Sequence, residues 1–274
     1  MKFEIKHLYD PKLFASVSEA LNDELTRYLE NQTQPQARVL PTQRPQDLIT
    51  SARRCLDESS WPNSSELNLN SKISKLVSEV LAGTTSLRAP GYMGHQVSPP
   101  VPLTAGFAAM GALLNPGLAV FEMSQFCSAI ERALIEKLGT YLNWPKNTFE
   151  GVITNGGTLS NLTALLAARN WWLKTGFADG LKGKPLAILA GADSHYSIAR
   201  AAGVLGIGSN QVFKVPVDAS RKMDVTLLPK IFADAKRQGL EPFCVVGTAG
   251  TTPIGAFDPL LEISAFAEKN NLWF

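Results

Sequence analysis

After Phe149 the chain alternates short apolar runs with longer stretches whose apolar residues recur at helical spacing, and this alternation constrains the fold most tightly. The runs at 151–154, 186–190, 212–217 and 243–247 read as strands, and Leu272-Trp273-Phe274 opens another. Between them, 159–173, 196–205, 225–238 and 258–270 read as helices; Asp258 is expected as the N-cap of the last, with Pro259 at its first position. Strands almost free of charge and separated by helices predict an α/β fold with a mostly parallel sheet covered on both faces. In such sheets a ligand sits beyond the carboxyl ends of the strands. The residues just after each strand are therefore the place to look for chemistry.

The first half is different. Residues 10–33 carry apolar side chains at helical spacing, 31–45 form a polar linker, and shorter helices are expected around 49–56 and 73–81, separated by a polar loop at 61–70. From Ala89 to Phe121 there is no Asp, Glu, Lys or Arg, yet Pro99, Pro100, Pro102 and Pro116 leave only 103–114 as a helix. Twelve residues fall short of the ~20 needed to span a bilayer, so this segment is expected to line an interior or a subunit interface rather than a membrane. A further helix is expected across 126–141. The organisation implied is an N-terminal helical segment, 1–88, followed by a ligand-binding domain, 89–274.

Composition narrows the function classes. A net charge of +2, with 26 Lys+Arg against 24 Asp+Glu, leaves no basic footprint for nucleic acid. Cys55, Cys127 and Cys244 are widely spaced and form no CxxC pair, so they read as reduced thiols, and with charges breaking up the N-terminal MKFEIKHLYD the expected location is cytoplasmic.

Three strand-end loops carry candidate site residues. The first is Asn155-Gly156-Gly157-Thr158-Leu159-Ser160-Asn161, running straight into a helix. Glycines admit a close ligand, and first-turn amides attract an anion. The loop lacks the Gly-Lys-Ser/Thr of a nucleotide-binding P-loop and the spacing of a dinucleotide fingerprint. An ordinary capped turn remains the plain alternative to phosphate binding. The second loop, Gly191-Ala192-Asp193-Ser194-His195-Tyr196-Ser197, places one of only three histidines at a ligand-facing edge, where it either caps the next helix or meets a ligand. The third is Gly247-Thr248-Ala249-Gly250-Thr251-Thr252-Pro253. Hydroxyl, imidazole and amide groups thus converge on one cleft. The glycines at 203, 206 and 208 follow a helix and read as a plain loop.

Taken in order, these loops resemble the group II pyridoxal-phosphate-dependent amino-acid decarboxylases, the family of glutamate, aromatic-amino-acid and diaminobutyrate decarboxylases. Thr154 to Asn161, Asp193 to Ile198 and Thr248 to Asp258 carry the resemblance, supported by Pro90-Gly91-Tyr92-Met93-Gly94-His95-Gln96 and the stretch from Glu131 to Trp144. The resemblance implies a fold-type I large domain, pyridoxal 5'-phosphate as cofactor and an L-amino acid as substrate. It implies that Gly157 and Thr158 hold the cofactor phosphate and that Thr251 lies against the cofactor. His195, the candidate catalytic residue, would stack on the pyridine ring and help position the substrate carboxylate. Gln96 falls in the segment that lines the substrate pocket. It also implies a homodimer with sites at the interface, which would account for the charge-free segment.

The family further requires an aspartate at the ring nitrogen and a lysine that carries the cofactor covalently. Both are expected beyond Phe274, because Lys182, Lys184 and Lys214 occupy contexts that read as solvated. The chain by itself is then expected to be inactive. The alternatives left open are another fold-type I enzyme, a lyase or an aminotransferase, and a catalytically dead relative serving as a binding or regulatory subunit. A nucleotide-binding Rossmann domain is more remote, for want of its glycine fingerprint.

Overall fold

The computed structural model describes residues 5–56 and 69–274; most of the loop expected at 61–70 lies outside them. The chain divides into two compact units, Met1–Leu113 and Leu114–Phe274.

The first unit is helical. Helix α1 (Pro11–Gln32) starts on Asp10, whose carboxylate accepts the Lys12 amide at 2.9 Å, with Pro11 at the position where a missing N–H costs nothing. Helices α2 (Pro45–Leu56) and α3 (Leu69–Ala82) follow, and Asn70 on α3 donates to Ser16 on α1. Helix α4 (Thr104–Leu114) is the helix expected in the charge-free segment, and it buries none of its residues. Leu103, Phe107 and Leu113 are each more than 60% exposed. The segment is therefore not interior within this single chain. Among the described residues no helix is long and apolar enough to cross a membrane.

The second unit holds the sheet. Helix α5 (Gln125–Tyr141) and helix α6 (Gly157–Leu173) precede strand β1 (Leu186–Gly191), with the short turn α7 (Gly176–Asp179) between α6 and β1. Helix α8 (Ser197–Val204) leads to β2 (Val212–Val215). Helix α9 (Leu228–Arg237) leads to β3 (Glu241–Val246), and α10 (Leu260–Lys269) completes the series. The strand order is β2-β1-β3, every pairing parallel. Trp273 then pairs in parallel with Cys244, so the run that closes the sequence lays itself along β3 as expected.

Alternation along β1 sorts the core into two layers. Leu186, Ile188 and Ala190 meet Leu165 and Ala168 of α6 and Ile198, Ala201 and Ala202 of α8. On the opposite face Leu189 joins Val215 and Val245 against Leu228 of α9 and Ile263 and Ala267 of α10. All six residues of β1 are buried, as a strand covered on both faces requires. Each fully buried Leu, Ile or Phe contributes about 1.5–3 kcal/mol, so this double layer dominates the stability of the unit.

Two local expectations are corrected. Residues 151–154 form no strand; no described strand runs beside them, and the Ile153 amide is taken by the Glu131 carboxylate on α5 at 2.9 Å. Asp258 does not cap α10, whose N-cap is Pro259 with no side-chain bond, because the Asp258 carboxylate is committed elsewhere. Of the three glycines read as a loop, Gly203 lies in the last turn of α8, while Gly206 and Gly208 are in the loop, where the Ile207 and Gly208 amides fold back onto the Ala202 carbonyl.

Candidate functional site

Three loops meet at the carboxyl edge of the sheet, and each is positioned by an identifiable interaction. Helix α6 begins without a side-chain cap. Gly156 adopts φ 91°, a left-handed conformation that strains any residue with a Cβ, and this turns the chain abruptly into the helix. The Leu159 and Ser160 amides reach back to the Gly156 carbonyl, while the Gly157 and Thr158 amides take no backbone acceptor among the described residues. Apart from the adjoining backbone, no heavy atom lies within 4 Å of where a Cβ would stand on Gly156 or Gly157. The start of α6 is thus open space lined by free N–H donors at the positive end of a 17-residue helix. The Ser160 hydroxyl lies 2.5 Å from that of Thr154 and braces the turn.

One turn into α6, Asn161 reaches across to the loop that follows β1. Its Nδ2 donates to Ser197 Oγ at 2.8 Å, and Ser197 Oγ lies 2.8 Å from His195 Nδ1. The Ser197 amide also donates to His195 Nδ1, at 3.2 Å. His195 Nδ1 therefore takes the first amide of α8, one residue before the N-cap Tyr196, while the rest of the residue stays exposed. The two sequence readings of this histidine are compatible. Its ring rests against Tyr196, with centroids 4.1 Å apart, and Arg200 stands over the Tyr196 ring at 4.7 Å.

The loop after β3 is tied to the same edge. Ser194 Oγ is 3.4 Å from Thr248 Oγ1. Buried Asp258 accepts the Thr248 amide at 2.8 Å through one oxygen and the Met223 amide at 2.7 Å through the other. A carboxylate that accepts two buried backbone donors is a strong local anchor. It fixes the third loop and the turn after β2 at once. Thr251 is buried, and its hydroxyl accepts the Ala256 amide at 3.0 Å, so it shapes its own turn. Asp193 pairs with Arg221 at 2.6 Å, joining the loops after β1 and β2. Beside this edge a largely apolar cleft of about 300 Å³ opens between Asn161 and Ala164 of α6, Val246 and Gly247 at the end of β3, and Trp273.

Gln96 lies in the first unit. It is exposed, with φ 49°, and follows His95 at φ 55°. The lysines read as solvated are exposed: Lys182 pairs with Asp179 at 2.9 Å, and Lys184 and Lys214 lie at the surface. Partial burial nonetheless lowers the pKa of Lys214 from the usual lysine value, against the opposing charge of Asp193.

Sequence reasoning singled out the loops but left Asn161 and Ser197 without a role and gave Asp258 a different one. Asn161 and Ser197 stand inside the quoted motifs, and the signal was present as polar residues at the first turns of α6 and α8. Asp258 followed by Pro259 has the local signature of a cap, and that signature conceals the long-range role.

Comparison with known proteins settles the family. Residues 110–274 match the pyridoxal-dependent decarboxylase conserved domain. The chain belongs to the pyridoxal-dependent decarboxylase family. It is 37% identical over 165 residues to the acidic amino acid decarboxylase GADL1 of Bos taurus, a match covering 60% of this chain and 31% of that protein. It is 32% identical over 199 residues to the L-aspartate decarboxylase dtxS4 of Metarhizium robertsii, covering 73% of this chain and 40% of the relative. The structure of mouse CSAD superposes with a TM-score of 0.86 at 25% identity, over 97% of this chain and 54% of the mouse chain. The fold is therefore the α/β fold-type I architecture of these decarboxylases, and the chain spans about a third to a half of the length of the relatives it matches.

The cofactor of a pyridoxal-dependent decarboxylase is pyridoxal phosphate, and the residues present fit it. The two unpartnered amides and the vacant volume over Gly156 and Gly157 suit a phosphate dianion. His195 supplies an exposed planar ring, held at one edge.

Proposed function

We propose that the protein is a pyridoxal-phosphate-dependent carboxy-lyase that removes the α-carboxylate of an L-amino acid, giving an amine and CO2. The open, amide-lined start of α6 carries this reading, because unpaired amides at the start of a helix suit a phosphate and the family resemblance assigns Gly157 and Thr158 that role. The cofactor, when bound, supplies the electron sink for the pair left behind as CO2 departs.

The chain's own residues bind and orient. Gly157 and Thr158 hold the phosphate through their backbone amides. His195 would stack on the ring and help position the substrate carboxylate, and Thr251 would support the cofactor from the third loop. Gln96 contributes to the substrate pocket. A proton takes the place of CO2 on the α-carbon, so one proton is consumed for each amine released.

Acidic L-amino acids are the first substrates to test, since GADL1 and dtxS4 are named for them. Two copies of the chain associate, with the charge-free segment around α4 at their interface, and the enzyme is cytoplasmic. The division at 1–88 and 89–274 belongs to the same proposal.

Product analysis tests the activity. The full-length protein, supplied with pyridoxal phosphate and L-aspartate, L-glutamate or cysteine sulfinate, is expected to release CO2 and amine in equal amounts. A 2-oxo acid without CO2 would instead establish an aminotransferase and overturn the reading.

A further inference from the structure

We infer that Asn161 and Ser197 are positioning residues that fix His195 in the tautomer protonated on Nε2. The inference rests on donor and acceptor identity. A backbone amide only donates, and the Ser197 amide is aimed at His195 Nδ1 from 3.2 Å, so Nδ1 must offer its lone pair. The Asn161 side-chain nitrogen also only donates; it stands 2.8 Å from Ser197 Oγ, which therefore accepts from it. That leaves the Ser197 hydroxyl proton for the remaining partner, His195 Nδ1, at 2.8 Å. Ser197 is completely buried, so no solvent competes for its hydroxyl. Two donors thus converge on one ring nitrogen, and the ring proton is left on the other.

The chain Asn161 to Ser197 to His195 joins the helix that starts at the phosphate loop to the histidine that faces the cofactor. It spans 36 residues of sequence in one bond, between helices α6 and α8 that pack on the same face of the sheet. Within the decarboxylase reading, its consequence is chemical. The outward edge of His195 presents an N–H and not a lone pair. An N–H donates to a carboxylate oxygen; a lone pair would repel it. The ring plane is steadied at the same time by Tyr196.

The test reads the tautomer directly, on the chain as it stands and without cofactor. Nitrogen chemical shifts of 15N-labelled histidine are recorded at about pH 8, where an ordinary imidazole is neutral, and His195→Gln identifies the signal. The expected pattern for His195 is Nδ1 unprotonated and Nε2 protonated. Asn161→Asp keeps the shape of the side chain but gives the Ser197 hydroxyl an acceptor, drawing it off Nδ1. The Nδ1-protonated form of His195 is then expected to gain about fivefold in population, the effect of withdrawing one ordinary hydrogen bond. Ser197→Ala is expected to do the same. Should that buried substitution unfold the chain, the isosteric Asn161→Asp decides alone. A His195 protonated on Nδ1 in the wild type, or a tautomer ratio indifferent to Asn161→Asp in a folded chain, would overturn the inference. The decarboxylase reading stands or falls separately, on product analysis.

Discussion

The sheet of the second unit and the helices of the first are both rich in apolar residues, yet they use them in opposite ways. Every residue of β1 is buried, and the layers on its two faces satisfy one another. Helices α1, α2 and α4 bury no residue at all, and α4 turns Phe107, Met110 and Leu113 to the surface. Exposed apolar residues gathered on one helix and its flanks mark a surface made to be covered. Within this chain the sheet buries its apolar residues on both faces. The charge-free helix leaves its apolar side chains exposed, and a second copy of the chain is the occupant proposed for it.

Substitutions in the two regions should therefore divide cleanly. The largest loss is expected in the sheet: Phe243→Ala, at a fully buried position, should cost about 3–5 kcal/mol in denaturant unfolding, as truncation of a large core aromatic does. A cost below about 1 kcal/mol would mean that the double layer does not hold the unit together. Next comes the polar anchor beneath the loops. Asp258→Ala leaves the Met223 and Thr248 amides without their acceptor and should cost about 2–3 kcal/mol, again read by denaturant. Buried Cys244, its thiol pKa pushed up by desolvation, should resist alkylation until the unit unfolds, whereas partly exposed Cys127 should react in the native chain. Mass spectrometry after a brief iodoacetamide pulse checks this, and rapid labelling of native Cys244 would contradict it. The smallest effect on stability belongs to α4: Phe107→Ser, at an exposed position, should change unfolding by less than about 0.5 kcal/mol. Its effect should appear in sedimentation, as loss of the two-chain species. An unchanged dimer would remove α4 from the interface.

What the sequence made legible follows the same division. Strands β1, β2 and β3 could be read because a buried parallel strand needs an almost unbroken apolar run, and Leu186 to Ala190 is one. Residues 151–154 satisfy the same local rule and still form no strand, since pairing depends on a neighbour that local sequence does not describe. The unpaired amides at the start of α6 were legible because helix-start amides are unpaired by construction. The partners of Asp258 were not, because its bonds reach 10 residues back to Thr248 and 35 to Met223, while the local Asp-Pro pattern argues for a cap. The Asn161–Ser197–His195 chain was hidden for the same reason. Its parts are ordinary in sequence and acquire a role only when α6 and α8 pack side by side.

The claim that the start of α6 is a phosphate site is tested most directly with 4'-deoxypyridoxine 5'-phosphate, which lacks the aldehyde and so reads the non-covalent site alone. Equilibrium dialysis against the wild-type chain should give saturable binding. Gly157→Glu is the decisive partner, because its side chain enters open space and a carboxylate in the first turn favours a helix. The variant should melt at the same temperature or slightly higher, yet bind the ligand more than about tenfold more weakly, since its charge opposes the phosphate. Equal affinity in the two folded chains, or no saturable binding to the wild type, would contradict the account.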